Sequence, residues 1–77
     1  MELTLSNHWK LQQKFRPDIT DEAITYAIIN SDELKDRHWP DALNVISKVP
    51  PTGKILKVVY KRISIGKVKI ITAFWLD

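Results

Sequence analysis

The sequence predicts an α+β domain in which two N-terminal helices pack on one side of an antiparallel sheet of three or four strands. Three observations carry this. Hydroxyl or amide residues stand before two short apolar-periodic stretches in the first thirty positions. Val- and Ile-rich runs of alternating pattern fill the last third. A single turn-like cluster, Pro50-Pro51-Thr52-Gly53, is the only strong punctuation between them.

The first helix starts after Ser6 or Asn7, whose side chains can accept from the free N–H groups of the first turn, and runs to about Phe15, since Pro17 disfavours helical backbone before it. Trp9, Leu11 and Phe15 are its apolar residues, with Leu11 and Phe15 an i, i+4 pair; Lys10, Gln13 and Lys14 face water. Thr20 caps a second helix over residues 21–29, where Asp21 and Glu22 complement the helix dipole and Ala23, Ile24, Ala27 and Ile28 form the apolar stripe. Residues 33–37 are a weak strand candidate and residues 43–49 a stronger one, flanking the turn His38-Trp39-Pro40-Asp41. The clearest strands, 55–62 and 67–75, pair as a hairpin through Ile63-Ser64-Ile65-Gly66. With period two, Leu56, Val58 and Tyr60 share one face, and Lys57, Val59 and Lys61 the other; on the partner strand Val68, Ile70, Thr72 and Phe74 share a face.

Seventy-seven residues hold one small core. Cysteine is absent, which excludes disulfides and thiolate metal sites. A histidine-based metal site would need Asp36 or Asp41 beside His38, a combination without a recognised ligand spacing, so neither metal nor cofactor is expected. The start of the chain lacks a basic region followed by an apolar run, and no stretch approaches a membrane span, so a cytoplasmic protein without membrane attachment is expected. A Ser-His-Asp nucleophile lacks its Gly-rich elbow, and Gly53 and Gly66 are too isolated to cradle a nucleotide.

Net charge is only +3, but it is unevenly placed: +2 over residues 1–17, −5 over 18–41 and +6 over 42–77. A basic segment with strand periodicity can form a cationic face for phosphates. The plain alternative is a set of solvated lysines that protect strand edges. His8 lies among Lys14, Arg16 and the basic hairpin rather than among carboxylates. A neutral-pH proton carrier beside cations suits phosphodiester chemistry, whereas the simpler reading makes His8 a surface residue of a first helical turn. Thr72 and Tyr60 pose the same choice between bonding inside the fold and reaching a ligand at the sheet rim.

The runs Leu3-Thr4-Leu5-Ser6-Asn7-His8, Phe15-Arg16-Pro17-Asp18-Ile19-Thr20, Ile29-Asn30-Ser31-Asp32, Lys54 through Tyr60 and Lys69 through Phe74 together resemble the small DUF4258-type domains. Those belong to the barnase, EndoU, colicin and RelE-like (BECR) group. The resemblance spans nearly the whole chain and implies two helices on a strongly curved antiparallel sheet, with metal-independent ribonuclease activity of the kind used by toxins. It implies His8, Arg16 and Thr72 as catalytic residues: His8 as acid and base, Arg16 near the scissile phosphate and Thr72 as a strand-borne hydroxyl. Lys14, Lys57, Tyr60 and Lys61 would bind substrate. RNA is then the expected partner, together with an antitoxin or immunity protein, and a homodimer is compatible with Trp75 at a strand end. Gln12 and Gln13 depart from the pattern, standing where related sequences often carry a further Arg, and Asp77 follows closely on the last strand. Two other functions fit the same residues: non-catalytic nucleic-acid binding through the hairpin, and a protein-interaction module using the contrast between the acidic middle and the basic end.

Overall fold

The computed structural model describes residues 1–76. The chain forms β1 (Glu2–Leu5), α1 (Asn7–Gln13), α2 (Asp21–Ile29), β2 (Leu34–Lys35), β3 (Leu43–Val49), β4 (Lys54–Ser64) and β5 (Lys67–Trp75). The sheet has five strands in the order β1-β5-β4-β3-β2, with β1 parallel to β5 and every other pair antiparallel. The expected all-antiparallel sheet of three or four strands behind both helices is therefore corrected to a five-stranded mixed sheet. The physical reason is the opening segment: Leu3 and Leu5 pair beside Val68 and Ile70 and pack against the core, so the chain enters the sheet before it forms either helix.

Ser6 ends β1 and begins α1. Its N–H donates to the Ile70 carbonyl at 3.0 Å, its hydroxyl donates to the Ile71 carbonyl at 3.2 Å, and the same oxygen accepts from the Trp9 N–H at 3.1 Å. One residue thus caps the helix and fastens it to β5. Because β1 pairs only as far as Ile70, α1 takes over the flank of β5 beyond that point. Trp9 is its buried residue; Leu11 and Phe15, the expected apolar pair, are turned to solvent at 62% and 86% exposure. A helix lying along a sheet margin has a narrower strip to bury than one lying on a sheet face.

Helix α2 begins as the sequence predicts, with the Thr20 hydroxyl accepting from the Ala23 N–H at 3.1 Å. It buries Ile24, Ala27 and Ile28 and packs against β3 and β4. The core joins these residues to Trp9, Ile19, Val45, Leu56, Val58, Tyr60, Val68 and Ile70. Each fully buried Val, Leu or Ile contributes about 1.5–3 kcal/mol by leaving water.

The hairpin contains a bulge. Val59 pairs with Thr72 but Tyr60 pairs with Ile70, which leaves Ile71 as an extra residue. The expected common face of Val68, Ile70, Thr72 and Phe74 is broken there. Val68 and Ile70 stay on the helix side, while Thr72 and Phe74 move to the face that carries Lys57 and Val59. Gly66 closes the hairpin at φ 75°, a backbone region that a side chain rarely tolerates.

On that second face the segment from Asp36 to Ala42 lies over the strands. The Asp36 carboxylate accepts from the N–H groups of His38 and Trp39 at 3.0 and 2.8 Å and from the Asn44 amide at 3.0 Å. Ala42 packs with Val59 and Ile71, and Trp39 reaches the His8 ring at 6.1 Å between centroids. The segment therefore runs from β3 across β4 and β5 to α1.

Among the described residues no helix is long and apolar enough to cross a membrane.

Candidate functional site

Helix geometry brings three residues of the first segment into line. His8 and Gln12 are one turn apart on α1, which places their Cβ atoms roughly 5–6 Å apart. Arg16 follows in the turn after the helix, where its N–H bonds the Gln13 carbonyl.

Gln12 ties the group together. Its side-chain oxygen accepts from Arg16 Nη1 at 3.2 Å and, through a short bond, from the Thr72 hydroxyl. Arg16 Nη1 also donates to the Ala73 carbonyl at 3.0 Å. A guanidinium and a strand hydroxyl separated by 56 positions therefore converge on one amide oxygen. The β-bulge makes this possible, since without the extra residue Thr72 would point into the core with Ile70. Thr72 is buried, Arg16 is half-buried, and His8 is exposed with Trp39 at its side. Among the described residues, Arg16 Nε and Nη2 have no hydrogen-bond partner.

The neighbouring sheet face is cationic and partly aromatic. Lys57 Nζ stands 5.9 Å from the Phe74 ring centroid, directly across the strand pair. Lys61 and Lys69 also face each other across β4 and β5, and Lys48 extends the same face on β3. Asp36, whose carboxylate feels the charge of Lys57, is engaged by three donors.

Two expected binding residues lie elsewhere. Tyr60 is fully buried on the opposite face, and its hydroxyl donates to Glu33 Oε2 at 2.6 Å. Burial and that bond raise the Tyr60 pKa well above the ordinary phenol value. Glu33 also holds Arg62, with Nη2 at 2.6 Å from Oε1, and the bonds from Arg62 and Tyr60 keep its carboxyl below the usual range. Tyr60 is thereby committed to a bond within the fold. Lys14 lies on the side of α1 away from His8, where it borders a shallow depression with Lys10, Asp21 and Glu22.

Of the seven expected site residues, Arg16 and Thr72 meet through Gln12, His8 lies one turn above them, and Lys57 and Lys61 share the adjoining face. Gln12, Lys69, Phe74 and Trp39 join the site only through the fold. A spacing of four between His8, Gln12 and Arg16 was the available signal for Gln12; the placement of Phe74 depends on the bulge. Among the described residues, no three His, Asp or Glu side chains gather in the manner of a metal centre. Comparison with protein-family models, with curated proteins and with solved structures found no match.

Proposed function

We propose that the cationic sheet face binds single-stranded RNA and that His8 moves the proton in a metal-independent cleavage beside it. The observation that carries this reading is the convergence of Arg16 and Thr72 on Gln12, which stands one helical turn after His8. The neutral imidazole takes the proton of a ribose 2′-hydroxyl. The 2′ oxygen bonds the adjacent phosphorus, the bond to the 5′ oxygen breaks, and the departing oxygen receives a proton from the imidazolium. The products are a 2′,3′-cyclic phosphate and a 5′-hydroxyl. The free N–H groups of Arg16 supply positive charge to the non-bridging oxygens. Lys57, Lys61 and Lys69 follow the backbone, and Phe74 and Trp39 offer rings on which bases stack. The resemblance to DUF4258-type domains points the same way.

The test is incubation of RNA and of DNA of matching sequence with the protein in EDTA. RNA is cut to cyclic-phosphate ends and DNA is spared; His8→Ala abolishes cutting, while Lys57→Ala lowers affinity and flattens its salt dependence. Intact RNA after long incubation with stoichiometric folded protein overturns the enzymatic reading. A second reading, RNA binding without cleavage, is favoured by one observation: Arg16 and Thr72 already have partners inside the fold. It predicts steeply salt-dependent binding that is indifferent to His8→Ala.

A further inference from the structure

The surface shared by α1 and α2 changes character in four steps. At one end Leu11 and Phe15 form an exposed apolar stripe. Next on the helix come Lys10 and Lys14, which border a shallow depression. Asp21 and Glu22 form its far wall and also begin a second depression, which ends at Tyr26 and Ile29, the latter 64% exposed. The sequence of the surface is thus apolar, positive, negative, apolar. Among the described residues no ion pair engages Lys10, Lys14 or Glu22.

A surface with that order complements itself. Rotation by a half-turn about an axis between the lysines and the acids sets positive against negative twice and brings each apolar end onto the other apolar end. An unrelated partner would have to match the four zones in reverse, a match that a second copy of this chain supplies automatically. We infer that the chain forms a two-fold dimer through α1 and α2, with Leu11 and Phe15 of one protomer against Tyr26 and Ile29 of its partner and Lys14 opposite Glu22. The ion pairs set the register and the apolar ends hold the complex. On α1, at 100° per residue, Leu11 lies between Lys10 and the His8–Gln12 line, so the dimer contacts do not use the lysines of the second sheet face. The inference is independent of any RNA activity.

The test is the mass of the full chain in solution, by light scattering and sedimentation over a wide concentration range at low salt, with circular dichroism to verify folding. The wild type has twice the 9.0 kDa chain mass at high concentration. Lys14→Glu and Glu22→Lys each occur twice per dimer and each weaken it by about tenfold. The chain carrying both reversals recovers most of the lost affinity, because the pair is restored with its signs exchanged. Phe15→Ser weakens the dimer at every salt concentration. A monomer at all concentrations overturns the inference. So does a dimer unmoved by either charge reversal, or a double variant no tighter than the single ones.

Discussion

Replacing Gln12 by Leu tests whether its amide oxygen is what holds the candidate site together. The substitution removes the acceptor of two donors while keeping a good helix former that is not β-branched. Thr72 is only 7% exposed, so its hydroxyl loses its partner with little access to water, a cost of about 1–3 kcal/mol. Arg16 is half-buried and keeps the Ala73 carbonyl, so its loss adds about 0.5–1 kcal/mol. The expected total is about 2–3 kcal/mol. For a domain of this size, whose whole stability is roughly 4–12 kcal/mol, that is a large fraction. At about 4–8 °C per kcal/mol it lowers the melting temperature by about 10–20 °C. Thr72→Val alone costs about 1 kcal/mol, since Gln12 keeps Arg16 and some contact with solvent. The two together replace a bonded polar pair by an apolar one, and cost less than the sum of the singles by about 1 kcal/mol. Urea denaturation of all four proteins, with unchanged slopes, measures the cycle. Strict additivity, within about 0.3 kcal/mol, would refute the claim that Gln12 and Thr72 act as a unit.

Other expectations follow from the remaining contacts. Because Arg62 and Tyr60 hold the folded Glu33 carboxyl below its unfolded pKa, its contribution is complete above the ordinary Glu value and disappears as pH falls through the folded one. Glu33→Gln should therefore flatten the acid limb of a stability–pH curve; an unchanged limb counts against the cluster. Tyr60 behaves in the opposite sense at alkaline pH. The unfolded chain ionises its phenol near pH 10 while the fold keeps it neutral, so stability falls above that pH by up to about 1.4 kcal/mol per pH unit, and Tyr60→Phe removes this component. At Gly66 a Cβ meets nothing within 4 Å, so Gly66→Ala costs only the positive φ, about 1 kcal/mol, seen as a melting-temperature loss without a change in far-ultraviolet dichroism.

The elements that the sequence displays most clearly are those set by neighbours along the chain. Thr20 capping α2 and the bounds of α2, β3 and β5 follow from local capping and alternation, whereas the sequence leaves Ser6 and Asn7 equally able to cap α1 and the fold selects Ser6. β1 is not legible because four residues carry too short an alternation, and the partner that makes them a strand begins 65 positions later. Leu11 and Phe15 show the limit of a periodic pattern: it marks an apolar stripe, but whether the stripe meets a core depends on where the sheet ends. The bulge at Ile71 has no marker in Lys67–Trp75, and it alone moves Thr72 and Phe74 to the lysine face. The joint between Arg16 and Thr72 was unreadable for a related reason. Gln12 looked like a missing arginine, and only the fold reveals it as the acceptor between them.

The replacement of β1 by α1 along β5 also decides where this molecule is vulnerable to polymerisation. Past Ile70 the Ile71 and Ala73 carbonyls of β5 are taken by Ser6 and Arg16, so that stretch of the margin offers fewer free acceptors to an incoming strand. The opposite margin is guarded less completely, since β2 covers only Leu43 and Asn44 of β3. Beyond them Lys48 is the charged residue that guards the uncovered stretch of β3, so an incoming strand meets more free backbone along β3 than along the end of β5.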